Sequence, residues 1–287
     1  MMFGMMKGVN PQPSDAFAWV QAPAGRGLVC RPLEPFARHI FTTREWRLGS
    51  GSIAVNDADG WAEVAGTLDV DPACLHRLRQ VHGATVVVAR PGSTDERPAA
   101  DIAITSDPSI ALAVQVADCV PLLVADRRTG AVAAAHAGWR GLAASVPRVT
   151  VDALARQFGS AAADLVAAVG PAIGACCYEV GADVRDAFAR AGFGEPLLAQ
   201  WFFDRPQPDA VNPSMPTVPP VPRANHWYFD TWSATRHQLE SAGLARERIY
   251  IAGLCTASHR DVLCSYRRDG KGAGRNVGVI RSGGAGR

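Results

Sequence analysis

The stretch Ile110–Gly141 reads IALAVQVADCVPLLVADRRTGAVAAAHAGWRG. Ile110, Leu112, Val114 and Val116 alternate with Ala111, Ala113, Gln115 and Ala117, the two-residue period of a strand whose successive side chains point to opposite faces. A second apolar run, Pro121–Ala125, enters the turn Asp126–Gly130 and returns as Ala131–His136. With Arg, Thr and Gly at the reversal, this is a hairpin pattern. Gly138-Trp139-Arg140-Gly141 then opens a helical stretch to about Phe158. Pro147 must start or kink that helix, because its ring fixes φ and removes an N–H donor.

Upstream, Thr85–Ala89 reads as a β-branched strand followed by a loop over Arg90–Ala100, Trp61–Leu68 as a short helix, and Arg38–Thr43 as a strand running into Arg44. The segment Gly49–Gly60 is rich in turn residues, and residues 1–14 form a tail of Met, Gly, Pro and Asn. Downstream, Leu165–Val169 is a short strand ending in Gly170-Pro171, and Asp230 is placed to cap a helix from Thr231 to near Gly243. Ile249–Ala252 and Val277–Ile280 complete the strands. Residues 204–224 hold seven prolines in 21 positions, so they read as an extended surface loop rather than a helix or central strand. There is no internal repeat. The expected organisation is one domain over residues 15–281, with a flexible tail over residues 282–287.

Composition bounds the function. The chain of 287 residues carries 29 basic and 27 acidic side chains, a formal charge of +2, and this balance argues against a nucleic-acid partner. Nearly half of the residues are apolar, 48%, enough core for one large α/β or α+β domain. The first residues lack the apolar run of a secretory signal and no stretch is long enough to span a membrane, so a cytoplasmic protein with no membrane partner is expected. Seven cysteines, an odd number, then read as thiols rather than a disulfide framework. Cys30, Cys74, Cys255 and Cys264 fit as small buried apolar residues. Cys176-Cys177, without metal-ligand spacing, reads as a packing pair.

Three apolar strands each end near one soft or borderline metal ligand: His82 in Gln80-Val81-His82-Gly83, Cys119 in Ala117–Pro121, and His136 in Ala135–Gly141. A thiolate and two imidazoles suit zinc and leave a fourth position for water or substrate. The spacing by itself favours a plainer reading, in which these are core histidines and a core cysteine.

Five ordered motifs change that weighting: RQVHG (Arg79–Gly83), ADCVPLL (Ala117–Leu123), AHAGWRG (Ala135–Gly141), VGPAIGACCYEVG (Val169–Gly181) and SYRRDGKGAGR (Ser265–Arg275). Together they resemble the laccase-domain family, also called multicopper polyphenol oxidoreductase, over about residues 16–281. The resemblance implies an α+β fold of mixed central sheets flanked by helices. It implies one zinc on His82, Cys119 and His136, and a purine nucleoside phosphorylase that also deaminates adenosine and cleaves methylthioadenosine. Purine nucleosides and inorganic phosphate are then the partners, with the enzyme a monomer or small homo-oligomer.

For deamination, a carboxylate must move protons, and Asp118 is nearest in sequence to the ligands. Phosphorolysis needs cations against phosphate. Arg44, Arg140, Arg267 and Arg275 are the candidates, because guanidinium pairs with phosphate in a bidentate way, and Gln80 joins them as a substrate contact. After Phe41–Arg44 (FTTR) the chain departs from the family pattern of a Gly-Gly-x-Ser turn, Asn-Leu-Gly and Gly-Asp-Asp. It reads Glu45-Trp46-Arg47-Leu48-Gly49-Ser50, with Asn56 as a remnant, in a region expected to touch substrate.

Other signals carry less. Gly270–Gly274 lacks the strand and helix that a dinucleotide loop requires. His39, His76, His226, His237 and His259 join no constellation, so a copper polyphenol oxidase with its many histidine ligands is disfavoured. Two further readings are a Cys–His hydrolase in peptidoglycan precursor editing, with Cys119 as nucleophile and His136 as base, and an adaptor that uses the Pro-rich loop as a ligand.

Overall fold

The strands expected around Ile110–Gly141 form the centre of the protein, seen in a computed structural model that describes residues 10–49, 57–92, 97–219 and 223–283. In chain order, a hairpin of β1 (Phe17–Ala22) and β2 (Gly25–Cys30) leads to β3 (Ala37–Thr42), helix α1 (Asp57–Thr67) and the short strands β4 (Leu75–Arg77) and β5 (Val86–Val88). Strands β6 (Ile102–Thr105), β7 (Ala111–Val116), β8 (Val120–Asp126) and β9 (Val132–Ala137) follow in close succession. They are succeeded by helices α2 (Trp139–Ala143) and α3 (Val146–Phe158) and strand β10 (Leu165–Val169). The remainder comprises β11 (Glu179–Gly181), α4 (Ala182–Arg190), α5 (Glu195–Trp201), β12 (Phe202–Phe203), β13 (His226–Phe229), α6 (Thr231–Ser241), β14 (Ile249–Ile251), α7 (Tyr266–Asp269) and β15 (Asn276–Ser282). No helix among the described residues is long and apolar enough to cross a membrane.

Two six-stranded sheets, ordered β1-β2-β3-β15-β7-β4 and β14-β10-β8-β9-β6-β5, carry the core. Both are mixed: β4 runs parallel to β7, β5 to β6 and β14 to β10, while β8 and β9 pair antiparallel. Period-two patterning explains the layering. Leu112 and Val114 of β7 share one buried cluster with Leu123 and Ala125 of β8 and Val132 and Ala134 of β9, so one face of each sheet covers the other. Ala111 and Ala113 point the opposite way, into a cluster with Val64 and Leu68 from α1 and its C-terminal end. The small side of the alternation is alanine because a helix lies on it. Leu122 and Val124 face a third cluster containing Val151 and Leu154 of α3 and Leu239 of α6. The expected α+β architecture of mixed sheets with flanking helices is observed.

Pro147 starts a helix rather than kinking one: α2 ends at Ala143, and Pro147 lies in the first turn of α3, where its missing N–H has no intrahelical role. Asp230 caps α6 by accepting from the N–H groups of Trp232 and Ser233. The Ser14 N–H donates to the Ala252 carbonyl and the Ser14 hydroxyl to that of Ile251, while Gly283 N–H reaches Phe36 O beyond the end of β15. Residues 1–9, 50–56, 93–96, 220–222 and 284–287 lie outside the described residues, so of the altered stretch Glu45–Ser50 only Ser50, and Asn56 beyond it, fall there.

The Pro-rich stretch is irregular, as expected, but it is pinned to the domain. Asn212 is buried; its side chain donates to Gly253 O at 2.9 Å and accepts from Cys255 N at 2.7 Å. Ser214 Oγ donates to Cys176 O at 2.7 Å. Asn212→Ala should therefore destabilise the protein by about 2–3 kcal/mol in chemical denaturation, because it leaves a buried N–H and a carbonyl unpaired. A change below about 0.5 kcal/mol, the size of an ordinary surface substitution, would mark the segment as passive.

Candidate metal centre

His82, Cys119 and His136 come from three turns or strand ends on neighbouring parts of the two sheets. His136 lies in β9, opposite Pro121 of β8, with Val120 opposite Ala137. Cys119 directly precedes β8, so the register carries it to Gly138. His82 follows β4 in a turn where its own φ is +60°. The three potential ligand atoms lie within 4.8 Å of one another, and the two imidazoles meet edge-on with centroids 4.8 Å apart. Gly138 is required by this crowding: a Cβ there would stand 2.9 Å from Cys119 Sγ and 3.2 Å from His82 Cδ2.

One buried residue ties the two histidines together. The Asp101 carboxylate accepts from the backbone N–H groups of His82 at 3.0 Å and Gly83 at 2.7 Å, with Val81 N–H at 3.3 Å. It also meets His136 Nδ1 at 2.8 Å, while His136 N–H donates to the Asp101 carbonyl. Burial pushes the Asp101 carboxyl up, but the bonds from His136, Gly83 and His82 together outweigh it and hold the group below its ordinary value. With Nδ1–H committed to Asp101, His136 turns Nε2 toward the cluster, the arrangement by which outer-shell carboxylates orient metal-bound histidines. Sequence reading missed Asp101. Its one signal is a lone acid within the apolar run Ala99–Thr105.

The cluster faces a cavity of about 590 Å³, within the size range of small-molecule sites. Arg267 and Arg275, both singled out in the sequence, line it, and so do Arg79 and Arg97, which were not. Arg267 donates to Glu179 O at 2.7 Å and lies over the Tyr178 ring. Arg275 donates to Ala273 O and Gly274 O.

Arg44 and Arg140 lie outside this lining: the Arg44 guanidinium donates to Arg260 O, and Arg140 stacks on Trp139 at 4.1 Å. Gln80 lines the wall, but its amide is spent on both backbone groups of Gln115, at 2.7 and 2.8 Å. Asp118 also lines the cavity, yet both carboxylate oxygens are engaged, one by Thr256 Oγ1 and one by Arg267 N–H, each at 2.6 Å. These bonds hold a turn in which Asp118 has φ of +93°. Burial pushes its carboxyl up, against those donors.

Residues 54–282 match the family described as multi-copper polyphenol oxidoreductase laccase. The chain belongs to this family. A purine nucleoside phosphorylase from Bacteroides thetaiotaomicron is 35% identical over 180 residues, 63% of this chain and 60% of that protein. Adenosine deaminase RL5, from an unknown prokaryotic organism, is 31% identical over 240 residues, covering 80% and 84% of the two chains. Hypothetical protein YfiH of Bacillus licheniformis superposes with a TM-score of 0.76 at 25% identity, over 93% of this chain and 99% of that one.

Despite the family's description, the histidines do not assemble a multicopper centre. His39 accepts from Cys30 N–H, His237 from Trp201 Nε1, and His259 meets Asn212, all apart from the cluster. The remaining donor set of one thiolate and two imidazoles fits a single tetrahedral ion with an open position. Burial raises the Cys119 thiol, but the His136 charge and the bonds from both imidazoles bring it down to about 7. Burial lowers His136, yet Cys119 and Asp101 together lift it to about 9.

Between about pH 7 and 9 the metal-free pair is thus thiolate and imidazolium, and a metal ion must expel the His136 proton to bind. Zinc affinity measured by competitive titration should therefore rise with pH across this window and level off above about 9, with proton release visible in buffers of different ionisation heat. An affinity that is flat from pH 7 to 9 would contradict this ligand set.

Proposed function

We propose that the chain is a cytoplasmic, zinc-dependent purine nucleoside phosphorylase that also deaminates adenosine and phosphorolyses methylthioadenosine. The observation carrying this reading is that an open three-ligand metal corner and four guanidinium-bearing residues share one cavity of about 590 Å³. The names of the two relatives supply the substrate class: one is a purine nucleoside phosphorylase and the other an adenosine deaminase.

Zinc, when bound by His82, Cys119 and His136, supplies a Lewis acid and activates water near neutral pH. The chain supplies the rest. Arg267 and Arg275 hold phosphate, with Arg79 and Arg97 adding positive potential, since charge-assisted guanidinium contacts suit phosphate oxygens. The half-buried Tyr178 ring, fixed under Arg267, forms an apolar wall against which a base can pack. Asp118 acts as a positioning residue: through Arg267 N–H it sets where the Arg267 side chain begins. Cys119 is a ligand rather than a nucleophile in this account. The metal-free thiolate–imidazolium pair is the one feature that favours a Cys–His hydrolase.

Phosphate dependence separates these readings. Release of free base from inosine, adenosine or methylthioadenosine should require inorganic phosphate and yield the sugar 1-phosphate, while inosine formation from adenosine should proceed without it. Arg275→Ala should weaken phosphorolysis about 10- to 100-fold more than deamination, the cost of one charge-assisted contact. Arg44→Ala should leave that ratio unchanged. Base release that ignores phosphate would mean hydrolysis, and equal losses in Arg275→Ala would remove Arg275 from the phosphate site.

A further inference from the structure

A second convergence of metal-binding side chains lies outside the centre described above. Cys176 and Cys177 sit in the segment that leaves β10, and Cys255 follows β14. These two strands are parallel neighbours, and the pairing continues as a bridge between Ala172 and Cys255. Parallel pairing thus brings three thiols together from positions about 80 residues apart in sequence. Their sulfurs lie within 4.8 Å of one another, all three residues are buried, and none is in a disulfide. Ile173 and Ala257 pack around them, with Trp232 and Met215 against the group.

Simple packing of apolar thiols does not explain where the backbone donors point. The Gly174 N–H donates to Cys255 Sγ at 3.4 Å, and the Met215 N–H to Cys177 Sγ at 3.3 Å. Donors aimed at sulfur stabilise thiolate charge, the same service that outer-shell groups give metal ligands. Cys177 also borders a second cavity of about 490 Å³. No histidine or carboxylate completes the set among the described residues. Ser258 Oγ lies 3.5 Å from both Cys176 Sγ and Cys177 Sγ, but a neutral hydroxyl is a poor metal ligand. Zinc takes four ligands in structural sites, whereas a set of thiolates suits soft cations such as Cu(I).

We propose that Cys176, Cys177 and Cys255 form a thiolate site for a soft monovalent cation of the Cu(I) class, separate from the centre on His82. Each thiol that becomes a ligand gives its proton to solvent, and the cation enters and stays as +1, so no electron is transferred. The site adjoins the cavity through its chain neighbours. Tyr178, next to Cys177, lines that cavity, and Thr256, next to Cys255, holds Asp118.

The test uses the full chain, reduced, zinc-loaded and free of oxygen, titrated with Cu(I) against a chromophoric chelator. The expected result is one tightly held copper per chain with an all-sulfur shell of three atoms in X-ray absorption. Cys255→Ser should weaken it more than about tenfold, while Cys119→Ala should leave it in place. On the unaltered chain, one equivalent of Ag(I) should protect Cys176, Cys177 and Cys255 from maleimide labelling during unfolding, but not Cys30 or Cys264. The unaltered chain keeps the test decisive should Cys255→Ser fail to fold. Nitrogen in the copper shell, loss of copper in Cys119→Ala, a disulfide among the three thiols in place of uptake, or protection spread over all cysteines would each overturn the proposal.

Discussion

A fully buried carboxylate, Asp101, receives the N–H groups of the turn containing His82 and the ring of His136, while its backbone carbonyl receives the His136 N–H. Two of the three ligands of the candidate centre thus refer to one side chain that water does not reach. A buried carboxylate is costly unless its oxygens are filled, and these are filled by the groups that the site needs fixed. The same bonds sustain the left-handed backbone at His82, a conformation that costs roughly 1–2 kcal/mol in a residue other than glycine.

A parallel arrangement serves the third ligand. Cys119 is placed by Asp118, whose backbone is also at positive φ and whose carboxylate is held by Thr256 and Arg267. Strain at the two turns is therefore stored beside the ligands and balanced by buried hydrogen bonds, a pattern that accompanies functional sites. The rigid part is the pairing of β8 with β9, which sets His136 and Cys119 in register. The arginines around the cavity come instead from loops and from α7, where substrate contacts vary between relatives more readily than a core does.

Much of the centre of the fold was legible because its signals are local. The alternation over Ile110–Val116 and the turn at Asp126–Gly130 depend on neighbours in the chain, and so does the cap at Asp230. His82, Cys119 and His136 were picked out by the family resemblance rather than by spacing, and the fold brings them together. The first hairpin was not, because Gly25 and Gly27 interrupt the apolar pattern of β1 and β2. Gly27 is there to admit Ile40, whose side chain would lie 2.3 Å from a Cβ. Asp101, Arg79 and Arg97 were missed because their roles arise only when distant segments meet. Arg44 ends a matched motif, yet its guanidinium turns to Arg260 O and stands outside the cavity lining. The Pro-rich segment read as a surface loop by composition, and the tertiary partners of Asn212 and Ser214 hold it to the domain.

The claim that Asp101 organises a one-sulfur, two-imidazole zinc centre is tested most directly by zinc binding to Asp101→Asn beside the unaltered protein, with X-ray absorption on each. Asparagine keeps the size but loses the charge and one acceptor. The account predicts a shell of one sulfur and lighter atoms in both proteins, with zinc affinity in Asp101→Asn lower by about 10- to 100-fold. Equal affinity in the two proteins, or a shell with more than one sulfur in either, would contradict it.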